Sequence, residues 1–265
     1  MDDLVDFVVR SVEDAAQIAV RRFRERPPAE SKADGSFVTT ADVEVEQFLR
    51  ERLAARCPRD EIYGEELGIT KGRTGRRWVI DPINGTTLFV RHIPTFSMNV
   101  ALLEDEQPLI GVTAFPMNGV VLYAARGAGS WRRIDGGAPE RLRVSSYPHR
   151  RGARVAIHNL ARWSSELLLA LHAETYLLEW QGTGGVAAGE IEAAVVAGMP
   201  MAVEDLGPLP LLVEEAGGRV TDLNGAELLK GDGTILATNG PVHDAFLSLV
   251  DGIATGRDHR TLRQP

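Results

Sequence analysis

Five short apolar runs, each cut off by Gly, Asp or Pro, crowd the stretch between residues 62 and 125 and limit what this chain can build. They are Ile62–Tyr63, Trp78–Ile80, Phe96–Leu103, Leu109–Phe115 and Val120–Ala125. Runs of this length bounded by turn formers read as β-strands. Helices precede them. Residues 3 to 25 set Leu4, Phe7, Val8, Val12, Ala15, Ala16, Ala19 and Phe23 at helical spacing with charges between. The segment ERPPAESKADGSFV then breaks the pattern and reads as a mobile surface loop. A second helix is expected from near Thr40, as its cap, through Phe48 and Leu49 to about Arg56.

Beyond an Arg-rich stretch near residue 150, strands and helices alternate. A strand is expected at Arg154–Ile157 and a helix at Ser164–His172. Another helix is expected at Val186–Ala197, and a third ending in Glu214–Gly218. A strand at Thr234–Ala237, a helix from about Pro241 to Val250 and a frayed polar tail complete the chain. Mixed elements on both sides predict a layered α/β or α+β architecture. The expected halves are residues 1–148, α+β and carrying the acidic motifs, and residues 149–265, α/β and contributing Asp205 and a substrate pocket. The break is placed near Pro148–Gly152.

Composition removes several function classes. With 29 Lys and Arg against 37 Asp and Glu, the formal charge is −8, so no broad basic face is available for a nucleic-acid polymer. No apolar run approaches the roughly 18 residues that a membrane helix needs. The start carries acids where a secretory signal carries positive charge. The single cysteine, Cys57, cannot form an internal disulfide. A cytoplasmic protein is expected.

Acidic residues stand where the β-like runs stop: Glu65 and Glu66 in IYGEELG, Asp81 in RWVIDPINGTTLFV, and Glu204 and Asp205 before the EEAGG helix. Hard divalent cations take oxygen ligands from a few carboxylates plus substrate phosphate. A strand end holds such groups rigidly, and the next turn adds a backbone carbonyl. An acid beside a glycine also marks an ordinary turn, but Asp-Pro-x-x-Gly-Thr-Thr joins a rigid turn to two hydroxyls able to position a water.

DPINGTTLFV resembles the DPIDGTTNFV motif of the inositol monophosphatase superfamily. VTTADVEVE resembles its V-T-x-x-D-x-x-x-E motif, and YGEELG its G-E-E motif. VEDLGPLPLLVEEAGG resembles W-D-x-A-A…EAGG, and ATNGPVHDAFL the closing A-[ST]-N-x-x-[LV]-H-[DE] segment. The five motifs run in the family's order over nearly the whole chain. The resemblance implies a five-layer αβαβα sandwich and a Mg²⁺-dependent phosphomonoesterase with two or three Mg²⁺ ions. It implies that Glu65 anchors the first metal with Glu66 behind it, that Asp81 bridges two metals, that the carbonyl of Ile83 completes the first site, and that Asp205 holds the second. It implies that position 84 is a second-metal ligand. Thr86, hydrogen-bonded to Asp42, would orient the attacking water, and the N–H groups of Gly85, Thr86 and Thr87 would meet the phosphate. Relatives are often homodimers, so a homodimer is expected.

Departures from the pattern are equally informative. The family's second Asp is Asn84, a neutral and poorer Mg²⁺ ligand. It is either native, in an enzyme relying on other ligands or lacking activity, or an Asp-to-Asn change of the kind made to trap substrate. The motif's Trp is Glu204, which either adds a carboxylate to the site or faces solvent. Pro208 and Pro210 follow at once, so the next helix begins differently. Gly198 replaces a Glu that reaches substrate in many relatives, and His92 stands where Gly is common. His92, Thr183 and Glu204 are therefore substrate-binding candidates, whereas Glu44 and Glu46 read as a solvated helix face. The expected substrate is a small phosphorylated metabolite (sugar, cyclitol, amino-alcohol such as histidinol, or nucleotide phosphate) rather than plain inositol phosphate. The competing expectation is an impaired member that binds a phosphorylated ligand or a partner without turnover.

Overall fold

In the computed structural model, the described residues are 2–32, 35–157, 165–178, 182–196 and 201–254. They form two compact units. The first comprises Met1–Arg141 together with Val203–Pro208, and the second comprises Leu142–Ala202 and Leu209–Pro265. The division comes ahead of the expected break at 148–152. A short later segment holding Asp205 groups with the first unit, not the second.

The first unit opens with α1 (Asp2–Glu25), whose apolar stripe is buried at Val8, Val12, Ala15, Ala19 and Phe23. The stretch expected as a loop carries two short antiparallel strands, β1 (Ala29–Ser31) and β2 (Phe37–Thr39). α2 (Thr40–Arg56) follows, but its cap is Thr39 rather than Thr40. The Thr39 hydroxyl accepts the N–H of Ala41, and the Asp42 carboxylate accepts the N–H of Thr39 at 2.8 Å. This is a capping box built with Asp.

An eight-stranded sheet follows, comprising β3 (Glu61–Gly64), β4 (Gly68–Thr70), β5 (Arg76–Asn84), β6 (Ser97–Glu104), β7 (Gln107–Phe115), β8 (Val120–Ala125), β9 (Gly129–Ile134) and β10 (Glu140–Arg141). Its order is β10-β9-β8-β7-β6-β5-β3-β4. Only β3 and β5 pair in parallel; the other neighbours are antiparallel. One core joins α1 and α2 to the sheet through Trp78, Ile80, Val100, Leu102 and Val112. The alternate residues of β5 and β6 point away from that core, and α6 (Val203–Leu206) packs against these two strands. The short α3 (Thr86–Val90) continues directly from β5.

The second unit has a five-stranded mixed sheet: β11 (Arg154–Ile157), β12 (Tyr176–Leu178), β13 (Ala193–Val196), β14 (Arg219–Thr221) and β15 (Ile235–Thr238), in the order β12-β11-β13-β15-β14. Its helices are α4 (Ser165–Glu174), α5 (Gly182–Ala187), α7 (Leu209–Glu214) and α8 (His243–Ala254). The helix expected over 186–197 is not formed. α5 ends at Ala187, and Ala193–Val196 is a central strand buried along its whole length. A short apolar run buried on both faces gives no periodicity that separates strand from helix. Glu192, just before β13, accepts both the backbone N–H (2.6 Å) and the guanidinium (2.7 Å) of Arg154. The expected frayed tail and Gly198 lie outside the described residues.

Candidate active site

β5 enters its turn through a break in the ladder. Pairing with β6 shifts register between Asp81 and Asn84, where Pro82 has no N–H to give. Gly85 then takes φ 88°, a left-handed geometry that a side chain resists, and turns the chain into α3. Asp81, the carbonyl of Ile83, Asn84 and the α3 threonines are thereby set within one tight corner.

Asp81 is 1 % exposed. Its Oδ2 accepts from the Asn84 amide at 2.7 Å, while Oδ1 is shut from solvent with no hydrogen-bond partner. Burial, then the charges of Glu65 and Asp205, hold its pKa well above the usual carboxylate range. The same Asn84 nitrogen donates to Asp205 Oδ1, also at 2.7 Å. Asp205 is anchored through its backbone, because Asn99 Nδ2 donates to its carbonyl and the Thr113 hydroxyl donates to Asn99 Oδ1. Two carboxylates from segments far apart in sequence thus share one amide nitrogen.

Glu65 follows β3 directly, its N–H bonded to the Ile80 carbonyl. Lys32, between β1 and β2, donates to Glu65 at 2.9 Å and to Glu66 at 2.6 Å. Beneath this turn lies Glu46, which is fully buried and accepts the N–H groups of Glu66 (2.8 Å) and Leu67 (3.1 Å) and the Arg50 guanidinium. The expectation of a solvated Glu46 is therefore wrong. Only Glu44, paired with Arg21 and Arg22, fits that description. Glu46 was recoverable from its place as the last residue of V-T-x-x-D-x-x-x-E. Lys32 had no comparable sequence signal.

Thr86 Oγ1 lies 3.4 Å from Asp42 Oδ1 and 3.1 Å from the Ile83 carbonyl. Asp42 is 1 % exposed, and burial raises its pKa even though bonds from Thr39 oppose the rise. Thr86 and Thr87 head α3, where first-turn N–H groups lack intrahelical acceptors. Glu204 is half-buried. Burial, then the charge of Glu204, raises the pKa of the Tyr63 hydroxyl, and Glu204 Oε2 is shut from solvent without a partner. His92 follows α3 with φ 62° and packs edge-on against Phe23, ring centres 4.3 Å apart, beside Phe89 and Phe96. That is an aromatic setting rather than one among the acids. Thr183 stands half-buried in α5 of the second unit.

Among the described residues no three His, Cys, Asp or Glu side chains already stand in metal-binding geometry. Lys32 and the Asn84 amide lie between the carboxylates instead. The donor set still suits one hard cation. Asp81 Oδ1 is a buried carboxylate oxygen without a partner, a costly state unless a cation meets it, and Glu65 acts on the same group. A second cation between Asp81 and Asp205 does not fit the amide as it stands.

The model of the inositol monophosphatase family matches residues 1–253. The chain belongs to the inositol monophosphatase family. A histidinol-phosphatase of Mycobacterium tuberculosis is 37% identical over 227 residues, 83% of this chain and 86% of that one. A histidinol-phosphatase of Streptomyces coelicolor is 31% identical over 265 residues, covering 95% and 97%. Among solved structures, the Thermotoga maritima IMPase superposes with a TM-score of 0.83 at 25% identity, covering 96% of this chain and 99% of that one. The mixed α/β fold is the one expected. This family member is a phosphoric monoester hydrolase acting on small phosphorylated substrates. Among the described residues no helix is long and apolar enough to cross a membrane.

Proposed function

We propose that the chain is a Mg²⁺-dependent phosphomonoesterase whose first cation is held by Glu65, Asp81 and the Ile83 carbonyl. The observation that carries this reading is the buried, unpartnered Oδ1 of Asp81 at the end of β5. When bound, Mg²⁺ makes water a stronger nucleophile and offsets charge on the phosphate. The chain's own residues supply position. The Thr86 hydroxyl, held between Asp42 Oδ1 and the Ile83 carbonyl, fixes the attacking water and passes its proton to Asp42, whose raised pKa suits a base. The N–H groups of Gly85, Thr86 and Thr87 receive the phosphate oxygens.

The two relatives named above as histidinol-phosphatases put an amino-alcohol phosphate first among candidate substrates, ahead of sugar, cyclitol and nucleotide phosphates. Glu204 Oε2 is suited to an ammonium group. The test is phosphate release from a panel of such esters with Mg²⁺, beside Asp81→Asn. Activity that vanishes with chelator and with Asp81→Asn supports the reading. Activity that survives both overturns it. One observation favours a second reading, binding without turnover: the Asn84 amide bridges two expected metal ligands. On that reading, phosphate esters are retained intact. A cytoplasmic homodimer completes the proposal, and sedimentation of the purified chain tests the dimer.

A further inference from the structure

We infer that Asn84 closes the cation position between Asp81 and Asp205, so that this chain holds one divalent ion fewer than the same chain with Asp at residue 84. The inference rests on the phosphatase centre proposed above and corrects the expected number of ions.

The amide nitrogen has two hydrogens, and each is committed. One meets Asp81 Oδ2 and the other Asp205 Oδ1, both at 2.7 Å. These are short bonds to charged acceptors, stronger than neutral ones. They give each carboxylate one short contact with a partly positive amide hydrogen, filling the place of a cation without its net charge. An Asp at this position would instead bring a third carboxylate against two others, an arrangement that demands a cation.

For an ion to enter, the amide must turn over, break both bonds and present a neutral oxygen. The frame gives it no easier route. Asn84 is tied to β6 through its pairing with Ser97. The Asp205 backbone is held by Asn99, with Thr113 behind it. Asp81 keeps its other oxygen free. One cation position is therefore open and the adjoining one is shut.

The test counts ions. Full-length protein and Asn84→Asp are stripped of metal and titrated with Mn²⁺, with and without inorganic phosphate, and free Mn²⁺ is read by electron paramagnetic resonance. The expected result is one ion fewer per chain in the unaltered protein under both conditions, and a higher melting temperature for its stripped form than for stripped Asn84→Asp. Equal counts would overturn the inference. Should Asn84→Asp fail to fold, Asp205→Asn decides: an unchanged Mn²⁺ count supports a closed position, and loss of one ion overturns it. A lower count without hydrolysis of any ester would sink the phosphatase reading and leave this inference standing.

Discussion

Gly64 has no room for a side chain because Glu46 fills the space: a Cβ there would lie 2.1 Å from Glu46 Oε1. The same carboxylate accepts the N–H groups of Glu66 and Leu67, so one buried acid on α2 fixes the turn that carries Glu65. Gly64→Ala should cost about 1–3 kcal/mol of stability through overpacking. A displacement of about 1 Å at Glu65 should lower kcat roughly 100-fold. Chemical denaturation and initial rates measure the two effects separately. A variant with unaltered rates would show that the turn does not position Glu65.

Thr86 tests the proton path. Thr86→Ala should lower kcat by about 100-fold or more. Thr86→Ser, which keeps the oxygen near Asp42 and Ile83, should stay within about tenfold of the unaltered protein. KM should change little in either. Equal losses in both variants would argue for a packing role of the methyl group.

Lys32 competes with any cation for Glu65, since its ammonium lies 2.9 Å from that carboxylate. Lys32→Met should therefore tighten Mn²⁺ binding roughly fivefold, the equivalent of about 1 kcal/mol for a partly exposed pair. Calorimetric titration measures this directly. Weaker binding in Lys32→Met would instead assign the lysine to holding Glu65 ready for the metal.

The second unit has its own pH dependence. His243 is fully buried between the hydroxyls of Thr221 and Thr238. Burial, then Arg219, pushes its pKa from 6.5 down to about 4. The folded state thus binds the proton less readily than the unfolded state. Its stability is intact above pH 6.5 and declines as pH falls toward 4, by an upper bound of about 3 kcal/mol. His243→Gln should flatten that part of the curve. Urea melts between pH 7 and pH 4 with identical slopes in both proteins would remove His243 as the cause.

The acids proposed to hold the first cation are legible in the sequence because each closes an apolar run: Glu65 after β3 and Asp81 within β5. Thr86 beside Asp42 followed from the family motifs. Less visible was anything decided by which face of a helix meets the sheet. Glu44 and Glu46 look alike in sequence, yet Glu44 reaches Arg22 at the surface and Glu46 lies under Gly64. The sequence of β13 reads as helix because Ala and Val, buried on both sides, leave no alternation to detect. The lost charge at Asn84 was plain to read. That its two hydrogens would join Asp81 to Asp205 depends on a segment arriving from 121 residues further along the chain.

That late arrival sets a timetable for synthesis. The ribosome delivers all eight strands of the first sheet by Arg141, but Val203–Pro208, which groups with that unit, emerges only after β11, β12 and β13 have been made. Until then Asp81 and Asn84 stand at the end of β5 without Asp205. A nascent or prematurely terminated chain ending before residue 203 therefore lacks Asp205, one of the acids of the proposed centre. No contiguous fragment can be cut out that contains the whole first unit and none of the second. The proposed centre is completed by the return of six residues, so it can form only after Pro208 has been made.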